Sequence, residues 1–307
     1  MDYMPTEPTI SSLRAGDEVR ATFACVRKDR LKTRTGSPYL ALELRDRTGT
    51  VQARAFRDAD LLAGRFERGE LVNVVGRVER FRDDLVLEVS DIRRAAEPGS
   101  EDAILLVQSF LPAAYRDMNE LDGFLEHLAS EVFDPGYRAL LDQLLSDTDL
   151  RAAFRRTPCT RAGHHAYLGG LLEHTVAVAT LARELCDLHR RLNSDLLITA
   201  AIVHDIGRTA EFTYGADIGL TEEGRLLGHI ALGQRLLLEH FAPLGNMLDE
   251  ARRLALLHCV ITHHGPSTAP GGRFASAEAL ALYRVNALDA GVKGALEHGI
   301  GQGRDDG

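Results

Sequence analysis

The chain has no tryptophan, aromatic residues make up only 6% of it, and it holds four cysteines in 307 residues. Cys25, Cys159, Cys186 and Cys259 are far apart and sit among apolar neighbours. That scatter excludes a zinc knuckle with paired spacing and a disulfide-stapled secreted domain, and fits reduced structural thiols. Long apolar runs are missing as well: the most apolar stretch, residues 196–203, is far short of the roughly 20 residues a membrane-spanning helix needs. The first ten residues carry acids and prolines where a signal peptide would carry basic residues and an apolar core. A cytoplasmic protein without a membrane partner is expected. Net positive charge is also lacking, and a formal charge of -9 argues against a protein that coats nucleic acid by bulk electrostatics.

What is present is an ordinary globular composition, 45% hydrophobic and 26% charged, in a chain long enough for two domains. The charge is unevenly divided. Residues 1–98 hold 18 Lys and Arg against 17 Asp and Glu, which leaves 18 against 28 of the chain's 36 and 45 for the remainder. The first part can meet a phosphate chain; the second needs cations to do so. The polar, turn-rich run Glu97-Pro98-Gly99-Ser100-Glu101-Asp102 marks the boundary. The expected division is 1–96, a linker at 97–103, a second domain at 104–290, and a flexible glycine-rich and charged tail at 291–307.

In the first domain, short alternating segments between turn residues predict strands near 19–27, 39–45, 51–56, 71–80 and 85–92. A single helix-like insertion at 58–66 falls between the third and fourth. The pattern, with Asp46-Arg47-Thr48-Gly49 as a turn, resembles an OB-fold barrel of the nucleic-acid-binding kind, whose second and third strands carry the ligand. Leu40, Leu42 and Leu44 would fill the barrel. Tyr39 and Arg45 then face outward with Arg54 and Phe56, and the first loop adds Lys28, Arg30, Lys32 and Arg34. Aromatic rings among arginines suit stacking on bases with cations on phosphates; the plainer reading is a packed barrel rim and solvated loop charges.

Beyond the linker, apolar residues recur at helical spacing and predict an all-α domain, with helices near 118–132, 135–146, 147–155, 168–191, 195–206, 222–241, 248–262 and 276–290. Residues 208–220 lack that periodicity and are expected to form a small hairpin or lid. The apolar run 196–203 ends in His204-Asp205, two metal-ligand side chains against a background that gives them no other purpose. His174 shares a stripe with Leu171, Val178 and Leu181, and Asp289 with Val285 and Leu282, so both point to a core. A lone core histidine is the bland reading of the first, yet an unpaired buried carboxylate is costly, and a metal ion would relieve both. Imidazoles favour Mn, Fe, Co, Ni or Zn, and carboxylates also suit Mn or Mg.

The order His174, His204-Asp205, His229, His263-His264, Asp289 resembles the HD-domain phosphohydrolases, particularly their two-metal versions. The stretches His164-His165-Ala166-Tyr167-Leu168-Gly169-Gly170-Leu171-Leu172-Glu173-His174-Thr175 and Glu223-Gly224-Arg225-Leu226-Leu227-Gly228-His229-Ile230 are similar to the YhaM family of 3′-to-5′ exoribonucleases, which join an OB-fold to an HD domain. The resemblance implies two divalent ions, with Mn first and Fe, Co, Ni or Mg as alternatives. It implies Asp205 between them, His174, His204 and Asp289 nearer one ion, and His229, His263 and His264 nearer the other. It further implies catalytic roles for Asp205, for Arg208 where the family often has lysine, and for His164 and His165, whose other reading is to cap and orient the next helix. An aromatic residue usual before the family's threonine is missing from Asp217-Ile218-Gly219-Leu220-Thr221. The expected function is hydrolysis of single-stranded RNA, or DNA, to 5′-mononucleotides, in an assembly whose subunits the sequence does not count. The alternatives are a phosphohydrolase of small nucleotides or cyclic dinucleotides that uses its OB-fold for assembly, and a nucleic-acid-binding module with a structural HD site.

Overall fold

A computed structural model describes residues 8–96 other than 47 and 83, residues 110 and 114, and residues 116–300 other than 215–217 and 270. The expected linker at 97–103 lies outside the described residues. The chain forms an all-β barrel and an all-α domain.

The barrel consists of β1 (Glu18–Lys32), β2 (Pro38–Asp46), β3 (Gly49–Ala55), α1 (Ala59–Ala63), β4 (Leu71–Phe81) and β5 (Asp84–Arg94). It closes in the order β1-β2-β3-β5-β4, with β3 and β5 parallel and the other pairs antiparallel. Closure leaves no long unpaired edge. Alternation fixes the register, because a shift of one residue would turn the buried set outward: Leu40, Leu42 and Leu44 lie inside with Phe23, Val74, Leu87 and Ile92. The β2–β3 turn is tied by Asp46, whose Oδ1 accepts from the amides of Thr48 at 2.7 Å and Gly49 at 3.1 Å.

One expectation in this domain is corrected. Lys28, Arg30 and Lys32 belong to β1 and not to a loop, for β1 runs on to Lys32 through a bulge between Cys25 and Arg27. The charged residues hide the strand from a hydrophobic pattern, but backbone pairing with β2 does not depend on side-chain polarity. Arg34 alone of the four sits in the turn that follows.

The second domain contains α2 (Met118–Ser130), α3 (Pro135–Ser146), α4 (Thr148–Arg156), α5 (Gly170–Leu188), α6 (Ser194–Val203), α7 (Arg208–Glu211), a hairpin of β6 (Phe212–Tyr214) and β7 (Ile218–Leu220), α8 (Glu222–Phe241), α9 (Glu250–Thr262) and α10 (Ala277–His298). Side chains of Asp117, Asp134, Asp147, Asn193, Thr221, Asp249 and Ser276 accept the first free amides of their helices, which sets where each begins. From Leu196 to Val203 every residue of α6 is buried, so this helix is the axis of the core. The tail at 291–307 was expected to be flexible, but α10 continues to His298. Lys293 pairs with Glu173 at 2.9 Å, and Glu297 Oε2 accepts the His165 amide at 3.0 Å. Residues 301–307 lie outside the described residues.

Candidate metal centre and nucleic-acid face

Buried α6 delivers His204 and Asp205 at its C-terminal end, and five other helices bring polar side chains to the same place. Two glycines make the approach possible. A Cβ on Gly207 would lie 2.0 Å from the His229 carbonyl oxygen, so only glycine lets the turn after Asp205 press against α8. Gly228, at φ 69°, breaks the course of α8 just before His229. The His229 amide there donates to Glu211 Oε1 at 3.2 Å.

Hydrogen bonds behind the rings fix which nitrogen faces inward. His204 Nδ1 donates to the Ala201 carbonyl at 2.8 Å, His263 Nδ1 to the Val260 carbonyl at 2.5 Å, and His174 Nδ1 to Asp289 Oδ2 at 2.6 Å. Each ring then turns its Nε2 lone pair toward a common space. His174 Nε2 and His204 Nε2 are 3.3 Å apart, and His229 Nε2 and His264 Nε2 are 3.1 Å apart. Asp205 stands between the two pairs. Its Oδ1 is 3.3 Å from both His229 Nε2 and His263 Nε2, while its Oδ2 is 3.7 Å from His204 Nε2 and 4.0 Å from His174 Nε2.

Burial pushes the His204 and His229 imidazoles down from their ordinary pKa and takes His264 to about 3, so these rings are unprotonated acceptors. Burial opposes ionisation of Asp205, but the Arg208 guanidinium beside it outweighs that and holds the carboxyl well below its usual range. Lone pairs thus face lone pairs, and the buried Asp205 Oδ1 and His263 Nε2 have no hydrogen-bond partner. That is costly unless a cation joins them. Nitrogen and oxygen ligands at about 2.0–2.1 Å from a tetrahedral ion sit about 3.3 Å apart, which is the spacing between Oδ1 and its two imidazoles and between His174 and His204, while Oδ2 stands off at 3.7 and 4.0 Å. The residues fit a divalent ion on each side of Asp205: His174 and His204 with Oδ2, and His229, His263 and His264 with Oδ1.

Four other expected site residues make contacts of their own. Asp289 Oδ2 lies 2.6 Å from His174 Nδ1 and 3.0 Å from His165 Nε2, and these three residues form a group that could itself hold an ion. His165 is buried with both ring nitrogens engaged: Nδ1 lies 2.9 Å from the Tyr167 hydroxyl, which donates at 2.8 Å to Glu173 Oε2. Both ends of this ring are thus engaged within the domain. Arg208 is buried too, its Nε donating to Asp205 Oδ2 at 2.8 Å and its Nη1 to Glu211 Oε2 at 3.3 Å. It is aimed at the carboxylate rather than at open space. His164 is half-buried and neutral, its pKa driven to about 3 mainly by burial, and its Nε2 lies 3.6 Å from Cys159 Sγ.

Cys159, Glu211, Tyr167, Glu173 and Lys293 are site residues that sequence reasoning missed. Only Glu211 carried a signal, its spacing of three from Arg208 on a short helix.

On the barrel, Tyr39 and Phe56 stack with centroids 5.3 Å apart and planes 27° apart, and Phe56 is 47% exposed. Leu31, paired across β1 and β2 with Tyr39, extends the row. Arg54 lies 4.4 Å over the ring of Phe81, which is 48% exposed and was hidden from the sequence reading at the end of β4. Arg45 is on β2 opposite Thr50. Arg30, Lys32 and Arg34 are exposed, with Arg30 3.7 Å from Asp60. Lys28 is different: its ammonium binds the Phe66 carbonyl and Glu67 and caps the Phe66 ring at 4.7 Å, so it is part of the barrel rather than a free phosphate contact.

Comparison with known proteins adds the whole-chain context. The HD domain family matches residues 171–291, and the OB-fold nucleic acid binding domain family matches residues 24–95. The 3′-5′ exoribonuclease YhaM of Bacillus subtilis (strain 168) is 29% identical over 230 residues, 75% of this chain and 71% of that one. The 3′-5′ exoribonuclease YhaM of Bacillus licheniformis is 27% identical over 258 residues, 84% and 80% of the two chains. Among solved structures, the second OB-fold domain of replication protein A from Methanococcus maripaludis is 18% identical, covering 31% of this chain and 100% of that one at a TM-score of 0.26. No helix among the described residues is long and apolar enough to cross a membrane.

Proposed function

We propose that this relative of the YhaM 3′-5′ exoribonucleases, an OB-fold followed by an HD domain, is a metal-dependent 3′-to-5′ exonuclease of the cytoplasm. It hydrolyses single-stranded RNA, and single-stranded DNA as a second substrate, to 5′-mononucleotides. The observation that carries the metal reading is the pair of buried, unpartnered acceptors, Asp205 Oδ1 and His263 Nε2, among imidazoles whose protons are tied up elsewhere. Polarity and substrate are those of the relatives' names.

His174, His204 and Asp205 would hold one ion and Asp205, His229, His263 and His264 the other, with Mn first and Fe, Co, Ni or Mg as alternatives. Bound ions supply a nucleophile from water at neutral pH and neutralise phosphoryl oxygens. The chain's own residues do the positioning. Arg208 fixes the rotamer of Asp205, Glu211 fixes Arg208 and approaches His229 at 3.6 Å, and Asp289 fixes the tautomer of His174. His264 is the least covered of these ligands, so a scissile phosphate would enter on its side. On the barrel, Tyr39, Phe56 and Phe81 stack on bases, at about 1–3 kcal/mol each, while Arg30, Lys32, Arg34, Arg45 and Arg54 meet the phosphates.

The test is a 5′-labelled single-stranded RNA incubated with Mn, with chelator, and with the Asp205→Ala variant. A ladder shortening from the 3′ end, present only with metal and wild-type protein, is the expected result. Intact RNA under every metal, with turnover of mononucleotides or cyclic dinucleotides instead, would replace this reading by the small-nucleotide phosphohydrolase.

A further inference from the structure

The two ligand sets around Asp205 are unequal. Oδ1 has three imidazole partners and Oδ2 has two, yet a thiol lies beside the poorer side. Cys159 is fully buried, in a segment pinned before α5: its amide donates to the His165 carbonyl at 3.0 Å, and Thr160 Oγ1 donates to the His164 carbonyl at 2.8 Å. Its Sγ is 3.6 Å from His164 Nε2 and 3.7 Å from Asp205 Oδ2. Sγ and the nitrogens of His164 and His174 all fall within 4.8 Å of one another, and Cys159 is the only cysteine in any such group among the described residues. A tetrahedral ion with sulfur at about 2.3 Å and nitrogen at about 2.0–2.1 Å places the two ligand atoms about 3.5 Å apart.

We propose that Cys159 is a thiolate ligand of the ion on the Oδ2 side of Asp205, with His164 beside it, so that the centre pairs a sulfur-bearing site with one built from nitrogen and oxygen alone. The inference rests on the dinuclear reading above. Its driving force is the acceptor capacity of Oδ2. Without an ion, that oxygen accepts from Arg208 Nε at 2.8 Å and faces the Cys159 S–H at 3.7 Å, which fills its in-plane lone pairs. To reach an ion, it must release a donor. Arg208 is held in place by Glu211, so the contact that gives way is the longer one to sulfur. The S–H bond breaks, its proton is released to solvent, and a sulfur–metal bond forms; nothing is oxidised or reduced. Soft sulfur would bias that side toward Zn, Co or Fe and leave the other side more open to Mn.

The experiment is a Co(II) titration of the chelated full-length protein, followed by absorption and by X-ray absorption at the cobalt edge. Expected are a thiolate-to-cobalt charge-transfer band in the near ultraviolet and a sulfur scatterer at about 2.3 Å. In Cys159→Ser the band is lost while the visible bands of cobalt on the Oδ1 side remain. A band that survives in Cys159→Ser, or bound cobalt with nitrogen and oxygen scatterers only, overturns the proposal. Should the variant fail to fold, the scatterers in the wild-type protein decide alone. RNA degradation by a cobalt protein without sulfur ligation would sink this inference and leave the exonuclease standing; no cobalt binding at all would sink the dinuclear centre with it.

Discussion

The barrel displays the side chains that face its proposed ligand, with Phe56 and Phe81 about half exposed, while the helical domain hides its own, with His174 and His204 fully buried and His263 1% exposed. The difference is one of energetics as much as position. Exposed rings and cations act singly, each adding a modest amount to binding, and losing one leaves its neighbours in place. Buried acceptors act as a set, because His174, His204 and His263 each depend on a hydrogen bond behind the ring and every unpaired atom is expensive. Changes on the barrel should therefore alter affinity by degrees, and changes in the helical domain should switch turnover and metal content.

Asp205→Asn gives the largest expected effect, since it alters the one carboxylate that faces both ligand sets. Turnover of RNA falls by roughly three orders of magnitude or more, while RNA affinity measured by fluorescence anisotropy stays within about twofold of wild type, the error of additivity for distant sites. A parallel fall in affinity would break the division of labour between the domains.

Glu211→Gln comes next. It weakens the hold on Arg208 and His229 without removing a ligand atom, and a supporting residue of this kind is expected to shift metal affinity by about 10- to 100-fold. Metal titration is the measurement, and an unchanged affinity would show that Arg208 keeps its place unaided.

For Phe56→Ala, RNA affinity falls by about fivefold or somewhat more, near the lower end of the stacking range of 1–3 kcal/mol because Tyr39 already covers one side of the ring. Metal content is unchanged. Loss of metal in this variant would contradict the account.

The chelated protein should lose stability in acid. His164 and His264 stay neutral in the fold down to about 3, whereas in the unfolded chain they take up protons from about 6.5 downward. The unfolded state binds more protons between those limits, so stability rises with pH across the window: their contribution is whole above 6.5 and fades as pH falls toward 3. Urea midpoints taken along that range test the sign.

The smallest effect separates two lysines of one strand. Lys32→Ala should lower the slope of log affinity against log salt by about 0.7, one phosphate contact on a single strand. Lys28→Ala should leave the slope alone and lower the barrel's melting temperature, because its ammonium is spent on the Phe66 carbonyl and Glu67.

Much of the fold was legible because the two domains obey different periods. Leu40, Leu42 and Leu44 against Tyr39 and Arg45 set the barrel by alternation, and capping residues such as Asp117 and Asn193 set the helix starts. Misreadings arose where tertiary contacts outweigh local pattern. The charged end of β1 looks like a loop until β2 pairs with it, and the glycines after Asp289 look loose until Lys293 and Glu297 find Glu173 and the His165 amide. Site residues were legible by chemistry and by likeness to a family, not by partner. Whether Asp289 meets an ion or a ring nitrogen, or whether a scattered cysteine borders a carboxylate, depends on distances that no spacing along the chain encodes.

Metal content is the most direct test of the central claim, that Asp205 joins two ion sites. Full-length protein, chelated and reloaded, would be counted by native mass spectrometry beside His263→Ala and Asp205→Ala. The account predicts two ions in the wild-type chain, one in His263→Ala and none in Asp205→Ala; a wild-type chain that holds a single ion, or an Asp205→Ala variant that keeps two, would contradict it.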